Sequence, residues 1–149
     1  MSQGESKKFS EYDFKSGEGD YKNSTDNFIW ALITNEFASI DANAVNPKIA
    51  DFTPATIGGN YAGPTPLTGV TWTRTDAVST LSYSPITFAA NALNPIDATC
   101  LIMINGSSAS GDALRVTDLT TDGTTPVNLT QGFTMTVNAA GAVTVTTNA

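Results

Sequence analysis

Few side chains after Lys48 could carry chemistry. There are the carboxylates Asp51, Asp76, Asp97, Asp112, Asp118 and Asp122, one thiol, Cys100, and two guanidiniums, Arg74 and Arg115. A carboxylate pair could run acid–base chemistry, but most of these aspartates sit beside Thr, Gly or Pro, where Asp stabilises turns. They read as turn and surface residues. Asp118 to Gly123 could offer oxygens to Ca²⁺, yet it lacks the dense acid spacing of a calcium loop. Cys100 lies in the apolar run Cys100-Leu101-Ile102-Met103-Ile104, with no cation nearby in sequence to draw down its pKa. It reads as a small buried apolar residue.

The chain has no His, so the usual general base and metal ligand is missing. A single Cys allows neither an internal disulfide nor a paired-thiol zinc site. Gly58-Gly59 lacks the Lys and Ser or Thr that would make a phosphate loop. The expectation is a protein that is not an enzyme, with no catalytic residue, no cofactor and no metal. A net charge of −7, with Arg74 and Arg115 the only cations after Lys48, argues against nucleic acid. No apolar run approaches the ~20 residues that span a bilayer, and the start lacks the apolar stretch of a signal peptide. No membrane partner is expected. Asn23-Ser24-Thr25 and Asn128-Leu129-Thr130 match the glycosylation triplet, and without a secretion signal they read as chance matches.

The elements divide at about Asn27. The lead holds four of the seven basic residues and six of the fourteen acids. Its only large apolar residues from Met1 to Ser24 are Phe9, Tyr12, Phe14 and Tyr21, at spacings that favour neither a helix face nor a strand. Such a composition predicts disorder in isolation. Residues 1–26 are therefore read as a polar, extended N-terminal arm whose aromatics anchor on a neighbouring subunit. Residues 27–149 form the body.

In the body, Phe28 to Thr34 is a nearly continuous apolar run of strand length, covered on both faces. Asn35 to Asn46 has room for one helical turn around Phe37 and Ile40. Pro47 to Gly69 carries four Pro and four Gly, the mark of a long structured loop with short extended pieces. Strand signals follow: Val70, Trp72 and Arg74 alternating with Thr, Leu81 to Ala90 with Ile86 and Phe88 on one face, Thr99 to Ile104, and Ala113 to Leu119. Val127 to Val137 leads into the last hairpin. There Phe133, Met135 and Val137 alternate with Thr, Asn138-Ala139-Ala140-Gly141 turns the chain, and Val143 and Val145 return. Thr makes up 23 of 149 residues, which suits pleated surfaces kept polar without charge. The fold class is all-β, an antiparallel β-sandwich or flattened barrel, with Trp30, Leu32, Trp72, Ile102 and Phe133 in its core.

The order of these elements resembles a family of small virion proteins encoded among the head and tail genes of tailed bacteriophages. The early hydrophobic strand is Trp30-Ala31-Leu32-Ile33-Thr34, and a Gly-rich segment around Tyr61 runs from Gly58 to Gly63. A Val-x-Trp-Thr strand follows at Val70-Thr71-Trp72-Thr73, then the buried strand Thr99 to Asn105 and the closing hairpin Phe133 to Thr147. The likeness covers Phe28 to the C-terminus; the lead is longer and more charged than the family's usual start. It implies a capsid decoration or cement protein, made in the host cytoplasm and seated on the outer surface of the virion. Its partner would be the major capsid protein, with a dimer or trimer of the chain itself on the shell. A tail, fibre or host-attachment protein is the alternative, for which Trp72, Tyr61 and Tyr83 would form a carbohydrate-facing cluster. The candidate partner-binding residues are Phe9, Tyr12, Phe14, Tyr21 and Tyr61.

Overall fold

The computed structural model describes residues 3–137 and 143–147, so the turn expected at Asn138 to Gly141 lies outside the described residues. The fold is all-β, with ten strands in three antiparallel sheets and one short helix among the described residues. The strands are β1 (Ser6–Lys8), β2 (Phe28–Ile33), β3 (Thr65–Pro66), β4 (Thr71–Thr75), β5 (Val78–Ser82), β6 (Ile86–Phe88), β7 (Cys100–Asn105), β8 (Asp112–Asp118), β9 (Phe133–Val137) and β10 (Val143–Thr147). Helix α1 spans Ser10–Glu18.

A five-stranded sheet of order β1-β8-β7-β2-β3 is the centre of the molecule. β2 and β7 are apolar at almost every position because both of their faces are covered. On one face Trp30, Leu32 and Leu101 meet Ile86, Phe133, Met135 and Val145 of the second sheet, β10-β9-β6, and this makes the sandwich. On the other face Ala31, Ile33, Cys100, Ile102 and Val116 pack under Phe9, Phe37 and Ile40. Single 3-10 turns at Phe37–Ser39 and Ile49–Asp51 belong to that cover. The first of them is the turn expected around Phe37. The expected long loop is also there, containing the second turn, β3 and an isolated bridge from Ile33 to Pro54.

The boundary drawn between residues 26 and 27 is not a boundary in packing. β1 pairs antiparallel with β8, Ser6 opposite Thr117 and Lys8 opposite Arg115. Phe9 is fully buried among the residues of the central sheet, and its N–H donates to the Leu114 carbonyl at 3.0 Å. The Lys7 ammonium donates to the carbonyls of Phe37 at 2.7 Å and Ile40 at 3.1 Å, and lies 4.5 Å from the Phe37 ring centre. Short β pairing and three buried aromatics, Phe9, Tyr12 and Tyr21, suffice to order a segment whose composition alone predicts disorder. Gly19 then ends α1 in the left-handed region (φ 85°), its N–H turned back to the Ser16 carbonyl.

Trp72 also departs from expectation. β4 and β5 form a separate two-stranded ribbon, and Trp72 is 44 % exposed on it rather than in the core. Thr/apolar alternation marks a strand correctly but does not say which sheet covers it.

Candidate functional site

Of the five aromatics expected to bind a partner, four are taken up inside the molecule. Tyr12 and Tyr21 pack edge to face, 6.2 Å between ring centres, in a small core with Phe28, Met103 and Leu114. The Tyr12 hydroxyl donates to the Asn23 side-chain oxygen and that of Tyr21 to the Asp112 carboxylate at 2.6 Å. Tyr61 lies against Trp30, 5.6 Å between ring centres, with its hydroxyl inside the sandwich. Phe14 alone is free, 60 % exposed on the outer side of α1. As a set these residues stabilise the fold; they are not one contact surface.

Asp118, Asp122 and Cys100 are taken up locally, although Asp118 Oδ2 is buried without a hydrogen-bond partner. Asp118 Oδ1 accepts from the N–H and hydroxyl of Thr120, and Asp122 accepts from Thr124 and Thr125. These hydrogen bonds, with Thr125 the largest influence, hold the Asp122 carboxyl down at about 2. Burial pushes the Cys100 thiol up to about 12, the opposite of what a nucleophile needs. Among the described residues no three His, Cys, Asp or Glu side chains come together to hold a metal ion. No helix among them is long and apolar enough to cross a membrane.

Two surfaces combine exposure with chemistry of their own. The first is built by two loops locked to each other. Thr56 donates its N–H and hydroxyl to the Asp97 carboxylate, and Asn60 N–H donates to Asn94 Oδ1 at 2.8 Å. Buried Asn94 in turn donates to the carbonyls of Ala89 and Leu129. The loops approach so closely that a Cβ at Gly58 would stand 2.5 Å from the Leu93 carbonyl oxygen. On these clamped loops Ile57, Leu93 and Ile96 are 61 %, 73 % and 62 % exposed. Beside Ile57 runs an apolar groove of about 320 Å³ floored by Phe52, Pro54, Ala55 and Pro64. Sequence reading found the loop but not the aliphatic residues it displays.

The second is a cleft of about 560 Å³ between α1 and the β4–β5 ribbon. Arg115 stands opposite Met103 in the register that β7 and β8 keep from the Cys100–Asp118 pair onward. The register slips just beyond it, between Met103 and Ile104, which leaves Leu114 without a cross-strand partner. Leu114 joins the small core while Arg115 lines the cleft. The guanidinium is close enough to Tyr12 and Tyr83 for its charge to offset part of what burial does to both hydroxyls. Burial dominates, raising Tyr12 to about 12 and Tyr83 in the same direction. Trp72 and Tyr83 of the expected aromatic cluster both line this cleft, while Tyr61 does not.

No family model, curated protein or solved structure matches this chain. What the described residues define is an all-β sandwich that displays an apolar patch and a cationic, aromatic cleft.

Proposed function

We propose that the chain is a structural virion protein of a tailed bacteriophage, a capsid decoration or cement protein that bridges major capsid subunits on the outer shell. The observation that carries the reading is the displayed patch, Ile57, Leu93 and Ile96 on two hydrogen-bonded loops beside an apolar groove. Exposed aliphatic side chains on a rigid support mark a protein-contact surface, because each loses water contact when covered and no loop has to be ordered first. The order of strand motifs supports the phage assignment. A protein that binds only the assembled lattice stabilises it by mass action, with many copies acting together. On this reading the protein acts as a dimer or trimer and works by binding alone.

The experiment is a copy count. Quantitative mass spectrometry of purified virions should give a number on the scale of the capsid lattice. Adding the protein to particles that lack it should raise their disruption temperature, and Ile57→Ser with Leu93→Ser should abolish that rise. A few copies per particle would instead fit the tail, fibre or host-attachment alternative. Absence from the particle would overturn both.

A further inference from the structure

We propose that the cleft between α1 and the β4–β5 ribbon binds a sugar acid, its carboxylate held by Arg115 and its ring laid on Trp72. This rests on the cleft alone, so its failure would leave the decoration reading standing, and the reverse holds too.

The argument starts from an unmatched charge. The Arg115 side chain has no ion pair and no hydrogen bond among the described residues, although its backbone is held in the ladders with β7 and β1. The other cation of the cleft, Lys8, is held by Asp13 at 2.8 Å. The cleft therefore carries one uncompensated positive charge in a chain whose net charge is −7. A partly buried guanidinium normally finds a carboxylate, since its planar fork makes two parallel charge-assisted hydrogen bonds with one. Here the fork is left for a ligand. Phosphate fits less well, because its second charge would meet no further free cation or helix-end cradle in the cleft.

The walls narrow the choice further. Trp72 is 44 % exposed and offers an indole face on which the apolar C–H side of a sugar ring can rest. Ser79 and Thr80 of the ribbon line the cleft, and Ser16 of α1 has a buried hydroxyl with no hydrogen-bond partner. One carboxylate, one apolar ring face and several hydroxyls are the attributes of a hexuronate or related sugar acid. The volume, about 560 Å³, lies within the ~300–1,000 Å³ usual for small-ligand sites. Regular β7–β8 pairing holds Arg115 in place, opposite Met103, and both residues line the cleft.

The test is an amide and indole NMR titration of the full chain with glucuronate, glucose, glutamate and inorganic phosphate. Glucuronate should shift the Trp72 indole N–H and leave that of buried Trp30 in place. Glucose should bind about tenfold more weakly or worse, the loss expected when a charged hydrogen-bonded pair is removed. Arg115→Gln should cost a similar factor. Should that variant fold poorly, Trp72→Ala changes only an exposed residue and should still weaken glucuronate binding, read on the cleft amides. Glutamate binding as tightly as glucuronate would overturn the saccharide assignment in favour of an acidic protein side chain. Tighter phosphate binding, equal binding of glucose, or no response at Trp72 would overturn the proposal.

Discussion

The Leu32 backbone N–H donates to the Tyr61 hydroxyl at 2.9 Å, inside the sandwich. β2 needs this because its last neighbour is short. β3 covers only Ile29 and Trp30, and beyond them the outer side of β2 is met by loop groups: the Ala55 N–H on the Leu32 carbonyl and the bridge to Pro54. A phenol thus stands where a strand would otherwise be, and a buried N–H is not left unpaired. The Gly-rich segment around Tyr61 lets the loop bring the ring in, with Gly58 and Tyr61 exchanging backbone hydrogen bonds.

Tyr61→Phe should therefore cost about 1–3 kcal/mol, the range for a buried donor left without its acceptor. Urea unfolding should show a lower midpoint with an unchanged slope. A midpoint equal to that of the parent would mean that water reaches Leu32 and the hydroxyl is dispensable.

Two phenylalanines five residues apart in the lead should behave oppositely. Phe9 is fully buried and Phe14 is 60 % exposed. Phe9→Ala should cost about 3–5 kcal/mol, as should Phe133→Ala in the other core, while Phe14→Ala stays within about 0.5 kcal/mol. Removing residues 1–22 should destabilise the body rather than release it intact, because it bares the edge of β8 along with the surface under Phe9. An unchanged melting temperature after that deletion would show the lead to be a dispensable arm after all.

The sheets were legible where burial leaves a periodic mark. Phe28–Ile33 and Cys100–Asn105 read as two-faced buried strands, and Phe133–Val137 as an alternating one, because side chains there answer to a single neighbouring layer on each face. The lead was not legible. α1 buries only Tyr12, so its sequence carries no apolar stripe, and a nine-residue helix is held by packing rather than propensity. Neither was the cleft, which forms only where α1, the β4–β5 ribbon and β8 meet, segments too far apart in sequence for any local pattern to announce. Trp72 was placed inside by its alternation, whereas its ribbon has no second sheet against its outer face.

Stability should fall on the alkaline side and stay level through neutrality. Burial is the main cause raising all four tyrosines, Tyr12 from 10.0 to about 12, and it raises Cys100 from 9.0 to about 12. For Tyr21 the hydrogen bond to Asp112 adds to burial. Groups raised in the folded state keep protons that the unfolded chain releases. Their contribution is complete below about pH 9 and is lost as pH climbs toward 12. With no His in the chain, nothing comparable acts between about pH 5 and 8. Melting temperature measured against pH should be flat and then decline, with phenolate absorbance rising only as the protein unfolds, and Cys100 should resist thiol reagents until then. Reversible titration of all four phenols near 10 in the folded protein would contradict this.

The clamped loops allow stability to be separated from contact. Asn94 is buried, and its side chain meets three backbone groups: it accepts from the Asn60 N–H and donates to the Ala89 and Leu129 carbonyls. Asn94→Ala takes the acceptor from the Asn60 N–H and one donor each from the Leu129 and Ala89 carbonyls. Those carbonyls keep the Gly132 N–H and the Asn60 side-chain amide, respectively, and the change should cost about 1–3 kcal/mol. Gly59→Ala should act in the same direction by another route. Its φ of 58° is left-handed, and a Cβ there would stand 2.6 Å from the Asn94 amide nitrogen. Both changes loosen the support of Ile57 and Leu93, so each should weaken particle binding along with stability. Ile57→Ser, on a residue 61 % exposed, should leave unfolding within about 0.5 kcal/mol of the parent and still weaken binding. Equal particle binding by parent and Ile57→Ser proteins would remove the patch as the contact surface, and exposed Phe14 on α1 would be the next residue to test.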